Sequence, residues 1–134
     1  MSFDLYIGGC LNGKKAPFPR ALLARYFGEF VSRREPRCLT LSFEGGEECL
    51  LFCDDEELVE ICSINRPGPA PALYQAIFEL LRSANLVLFL PGECPPLVGR
   101  AETITHVPAD MVEGLGQAVV LGHATEILEW IHRA

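Results

Sequence analysis

Between Cys38 and Asn65 the chain carries eight carboxylates (Glu44, Glu47, Glu48, Asp54, Asp55, Glu56, Glu57 and Glu60) and no lysine or arginine. The same segment holds a period-two apolar pattern, with Leu39, Leu41 and Phe43 alternating with Cys38, Thr40, Ser42 and Glu44. That combination restricts the fold severely. Alternation requires half-buried strands, and the carboxylates must sit on solvated faces or turn tips because unpaired buried charge is prohibitively costly. The segment therefore reads as an antiparallel meander of three strands. Glu44-Gly45-Gly46-Glu47 supplies a two-residue turn whose glycines tolerate positive φ. In that register Leu41 faces Leu50, Leu39 faces Phe52 and Glu44 sits opposite Glu47. Residues 54–57 make the second turn, and the third strand runs from Leu58 to Ile64.

Around this meander the pattern alternates between helix and strand. Phe3 to Ile7 reads as a strand ending at Gly8-Gly9, followed by a loop through Asn12-Gly13-Lys14-Lys15-Ala16-Pro17. A helix then starts near Pro19, its stripe formed by Leu22, Leu23, Tyr26, Phe27, Phe30 and Val31 at helical spacing, and stops at Pro36. Pro71 can occupy the first turn of a deeply packed helix reaching about Ala84. Leu86 to Leu90 is uniformly apolar, as in a strand covered on both faces. A short helix over 108–115 ends at Gly116, a buried strand spans 118–121, and a final helix presents Ala124, Ile127, Leu128 and Ile131. The whole chain, residues 1–134, is expected to be one α/β (mixed α+β) domain. Its mixed sheet joins the three-stranded meander to a parallel βαβ portion, flanked by helices.

Composition narrows the function classes. The net charge of −7 is one local block of −8, since the remainder is close to neutral at +1. Such a block repels nucleic acid and anionic membrane and suits a basic protein surface. Residues 14–37 carry +5, but no exposed aromatics interleave with these bases, so nucleic-acid binding is not expected. No apolar run approaches a membrane span, and the opening residues lack a secretory leader, which points to the cytoplasm. Six cysteines without a C-x-x-C pair read as reduced small hydrophobes rather than disulfides. The histidines fall far from them, so neither a metal nor a cofactor is expected. Gly8 to Lys15 lacks the spacing of a phosphate loop.

Two sites emerge. Glu44, Glu47, Glu48, Asp54, Asp55, Glu56 and Glu57 form candidate partner-binding tips, set against a role in protecting strand edges. Cys94 and His123, with Glu93 nearby, lie at strand carboxyl ends, where α/β sheets place ligands, and form an alternative nucleophile and base. His106 reads as a loop-packing or capping residue, and His132 suits the last turn of its helix.

Several segments resemble small bacterial immunity proteins of interbacterial toxin systems. They are the opening Met1-Ser2-Phe3-Asp4-Leu5-Tyr6, the run from Leu73 to Arg82 leading into Leu86–Gly92, and His106–Gly116 followed by Val119-Val120 and Glu126–Glu129. The resemblance implies a cytoplasmic, non-enzymatic protein that covers the active site of a cognate toxin, here one with a basic surface. A small enzyme or ligand-binding domain using Cys94 and His123 is the alternative, and a homodimer paired through the meander edge is the third reading.

Overall fold

Residues 4–133 are described by the structure, a computed structural model; Phe3, the first residue of the expected opening strand, lies outside that range. Strand β1 (Asp4–Leu11) sits mid-sheet and continues four residues beyond Ile7. Its extension turns through Asn12 (φ 50°) and Gly13 (φ 80°) into β2 (Lys14–Lys15), closing a hairpin in which Cys10 faces Lys15. Asn-Gly is a strong short-range hairpin signal, because both residues tolerate left-handed backbone. The first four residues of the loop expected at 12–17 are therefore a hairpin, and only 16–17 are irregular.

Next come β3 (Phe18–Pro19) and α1 (Arg20–Phe27). The helix expected to run to Pro36 ends at Gly28. A 3-10 turn over Gly28–Phe30 leads into strand β4 (Val31–Glu35), which pairs antiparallel with β5 (Cys38–Ser42). Glycine at 28 weakens helix continuation, and the Phe30 ring packs on Phe43 at 4.8 Å. That contact turns the next residues into the sheet. The apolar stripe was real as far as Phe27, but Phe30 and Val31 meet the core from a turn and a strand.

The meander thus has four strands: β4, β5, β6 (Glu48–Phe52) and β8 (Ile61–Asn65). Its third expected strand is split, because β7 (Leu58–Val59) leaves to pair with β3 in a separate ribbon. Helix α2 (Pro71–Ser83), with proline in its first turn, crosses to β9 (Leu86–Phe89), which pairs antiparallel with β1. A short strand β10 (Leu97–Val98), a 3-10 segment (Ala101–His106), α3 (Ala109–Leu115), β11 (Val119–Val120) and α4 (Thr125–Arg133) complete the chain. The sheet order is β11-β10-β9-β1-β8-β6-β5-β4, with β2 beside β1. It is mostly antiparallel with one parallel pair, β10 and β11, and is flanked by helices. That parallel pair is the βαβ portion. β9 reaches it only through β10, a two-residue strand too short to register as a period-two pattern.

Pairing rows show how the core is assembled. Leu5 faces Ile64, Ile64 faces Leu51, and Leu51 faces Leu39. These side chains pack with Leu23 and Phe27 of α1, most of α2 and Ile127 of α4. The observed register of β5 and β6 differs from the expected one by one residue: Leu41 faces Cys49, Leu39 faces Leu51, and Thr40 faces Leu50. The connection is wider than two residues. Gly46 N–H donates to Phe43 O, Phe43 N–H donates to Glu47 O, and Gly45 and Gly46 both take positive φ. A one-residue slip exchanges the faces of a strand. Hence Cys49, Leu51 and Cys53 are buried while Leu50 and Phe52 point outward, and Glu44 and Glu47 lie exposed in the loop rather than opposed in the ladder.

All six cysteines are free, and all but Cys38 are buried. Burial pushes the Cys62 thiol up to about 12 and those of Cys10 and Cys49 up to about 11, against 9.0 for an ordinary thiol. Between these values the folded chain holds protons that the unfolded chain releases, so stability falls as pH rises through that interval. The urea midpoint is expected to hold level up to about pH 9 and then decline toward pH 11, with a shallower decline in Cys62→Ala. A midpoint level to pH 11 in the wild type would contradict this account.

Candidate functional site

The two faces of the sheet are covered unequally. On the outer face α3 and the 3-10 segment seal only the β9–β10 end, where Cys10, Val87, Val98 and Val107 form a second buried cluster against Met111 and Val112. The rest is open. Paired residues on adjacent strands share a face, so the register defines a continuous row: Phe89 faces Tyr6, Tyr6 faces Ser63, Ser63 faces Phe52, and Phe52 faces Cys38. Ile61 and Leu50 flank it on the same face. Tyr6 is 39%, Phe52 37%, Leu50 38% and Ile61 50% exposed, against essentially complete burial of their inward neighbours Leu5, Leu51 and Ile64. Large apolar side chains this contiguous on a surface mark an interaction site more often than chance scatter does.

A groove of about 300 Å³ lies at the end of this row, between the sheet and α3. Tyr6, Ile61, Val87, Phe89 and Met111 form its walls, with Lys15 and Glu60 also lining it. Elsewhere on the outer face, Arg33 pairs with Glu35 at 3.3 Å, and Ser42 donates to Glu48 at 3.0 Å.

The acidic residues do not form one surface. Glu44, Glu47 and Glu48 lie at one end of β6, and Asp54 to Glu57 follow its other end. The second group is held against α1: Arg20 pairs with Asp55 at 2.8 Å, and Arg20 N–H donates to Glu57 O at 2.9 Å. Here Arg20, Arg34, Asp55, Glu56 and Glu57 line a cleft of about 610 Å³ on the helix side. Part of the positive segment therefore neutralises part of the acidic one within the chain. Of the seven candidate carboxylates, Glu48 alone stands on the outer-face strands.

Cys94 and Glu93 share a hollow of about 310 Å³ with Trp130 and Arg133. The thiol donates to Pro95 O at 3.4 Å, and among the described residues no hydrogen bond joins it to His123, which is exposed. Burial pushes the Cys94 thiol up, with Arg133 opposing the shift. A thiol nucleophile needs the opposite perturbation, so the direction of this shift lends the nucleophile reading no support. His106 packs a loop, as its position suggested: its Nδ1 accepts from Asn12 N–H at 2.9 Å, and its carbonyl accepts from Gly13 N–H. Among the described residues, no group of three or more His, Cys, Asp or Glu converges where a metal ion could be held, and no helix is long and apolar enough to cross a membrane.

The open face is not among the sites expected from the sequence, although Cys49 to Cys53 is apolar at every position. An uninterrupted run marks a strand covered on both sides. On β6 only one side is covered by this chain.

The fold and this surface define a mixed α/β domain whose sheet is packed by helices on one face and partly bare on the other. Comparison with known protein families, with curated proteins and with solved structures finds no match to this chain.

Proposed function

We propose that this chain is a non-enzymatic binding protein of the immunity type, which neutralises a basic protein toxin by seating it on the open sheet face. One observation carries the reading: the row Phe89–Tyr6–Ser63–Phe52–Cys38 crosses five strands on this face, with Tyr6, Phe52 and the adjoining Leu50 and Ile61 exposed and Phe89, Ser63 and Cys38 half-buried. Adjacent strands lie roughly 4.8 Å apart, so the row is roughly 19 Å wide, suited to the apolar centre of a protein interface. The carboxylates beyond both ends of β6 act at longer range. Their field, with a net charge of −7 on the chain, speeds encounter with a cationic partner without adding much to the docked contact.

The test is co-expression with the product of the adjacent open reading frame, because immunity genes sit beside their toxins. Relief of that product's toxicity and a stable complex are expected. Phe52→Lys should weaken the complex by at least about tenfold, chiefly through faster dissociation, because a central apolar contact is replaced by charge. The double reversal Asp55→Lys with Glu57→Lys should instead slow association and reduce its salt dependence. A neighbouring product that is neither toxic nor bound overturns the reading, as does a complex unmoved by Phe52→Lys.

A further inference from the structure

We propose that the groove between β1, β9 and α3 is the anchor pocket of this surface, taking one large apolar side chain from a lysine- or arginine-rich segment of the partner; the inference rests on the binding-protein reading above. The floor of the groove is Gly8, which faces Val87 on one side and Ile61 on the other. A Cβ at Gly8 would lie 3.3 Å from the Phe89 ring and 3.5 Å from Glu60 O. The missing side chain is what leaves a recess between the aromatic walls. At about 300 Å³ the recess has room for one large apolar side chain, phenylalanine, leucine or tryptophan, together with part of the backbone that carries it. Interfaces concentrate their energy in such pockets, where one anchor is desolvated and ringed by weaker contacts.

Two observations select a protein segment of this charge as the occupant. Tyr6 and Ile61 belong both to the groove and to the exposed patch, which runs on to Phe52 and Leu50. A small molecule filling the groove would leave that extension bare, whereas a protein segment anchored there continues over it. The second observation is charge. Glu60 lines the mouth, and no ion pair among the described residues joins it to Lys15. Around the open face, Asp4, Glu48 and Glu60 stand against Lys15 and Arg66, while Arg33 is taken up by Glu35. A basic residue flanking the anchor therefore meets Glu60, and the Lys15 ammonium remains as a donor to a backbone carbonyl of the seated segment.

The experiment is an NMR titration of the ¹⁵N-labelled protein with N-acetyl-Lys-Phe-Lys-amide. Shifts are expected to centre on the amides of Gly8, Ile61, Val87 and Met111. Binding should be at least about tenfold weaker for N-acetyl-Lys-Gly-Lys-amide, and clearly weaker for N-acetyl-Glu-Phe-Glu-amide. Ile61→Lys, at a half-exposed position that tolerates charge, should weaken binding at least about fivefold, while Leu11→Lys, exposed outside the groove, should leave it unchanged. Shifts centred elsewhere, no shifts, or equal binding of the glycine or glutamate peptide would overturn the proposal. The two readings fail separately. A toxin complex that forms and depends on Phe52 while the peptides ignore the groove removes only the anchor. Peptide binding without a toxin partner leaves the pocket and removes the immunity function.

Discussion

Gly99→Ala is expected to destabilise the protein by about 3 kcal/mol or more, enough to leave it largely unfolded at moderate urea. A Cβ at this position would lie 2.5 Å from the carbonyl carbon of Leu81, 2.6 Å from the amide nitrogen of Arg82 and 2.7 Å from Leu81 O. All three atoms belong to the backbone of α2, so no rotamer change relieves the clash. Either the helix must lift from the sheet or the segment after β10 must withdraw. The helix is poorly placed to lift, since Leu73, Ile77, Leu80 and Leu81 are completely buried. The segment is equally constrained: Asn85 Oδ1 accepts from Arg100 at 3.0 Å and from the buried Thr103 hydroxyl at 3.3 Å. Gly114→Ala is the matched control. It lies in α3 with nothing within 4 Å of an added Cβ, so alanine should be neutral or stabilising by up to about 1 kcal/mol. Urea denaturation of the two variants decides the matter. Equal midpoints would mean that the approach of Gly99 to α2 is not a constraint.

Long segments with a single strong period were legible in the sequence. Helix α2 is apolar around most of its circumference and opens on proline, and β9 is apolar throughout; both occupy their expected positions within a residue or two. The left-handed glycine that ends α3 (φ 96°) was equally legible. Short pieces were legible only in part: β11 lies inside the strand expected at 118–121, although Val120 is exposed rather than buried, and β7 was expected only as the start of one strand with β8, while β10 has no pattern of its own. Strand β4 was hidden for another reason. Phe30 and Val31 continue the helical spacing of α1, and only the pairing of Val31 with Leu41 and the Phe30–Phe43 contact reassign them. The same limit applies to the sites. Charge identified the acidic residues, but their separation to opposite ends of β6 depends on tertiary pairing, as does the lack of a hydrogen bond between Cys94 and His123. The groove could not be read at all, since Gly8, Val87 and Met111 come from three distant parts of the chain.

The register of β5 and β6 offers the sharpest comparison, because neighbouring leucines on one strand should respond very unequally. Leu51→Ala is expected to cost about 2–5 kcal/mol, the range for deleting a fully buried leucine whose surroundings cannot collapse. Leu51 has no exposed surface, lies between Leu39 and Ile64 across the ladder, and sits in the main core cluster. Leu50→Ala should cost less than about 1 kcal/mol, since the side chain is 38% exposed and faces Thr40 and Asn65. A two-residue turn at Gly45-Gly46 would reverse this order by placing Leu50 and Phe52 in the core. The choice between registers follows from what each one buries. In the observed register Cys49, Leu51 and Cys53 go inward, and the wider loop keeps Glu44 and Glu47 from facing each other directly, where like charges destabilise a ladder. That register leaves Leu50 and Phe52 more than a third exposed, which costs folding stability and produces the apolar face on which the binding proposal depends. Chemical denaturation of both alanine variants therefore bears on fold and function together: a larger loss for Leu50→Ala would invert the strand and remove the docking surface with it.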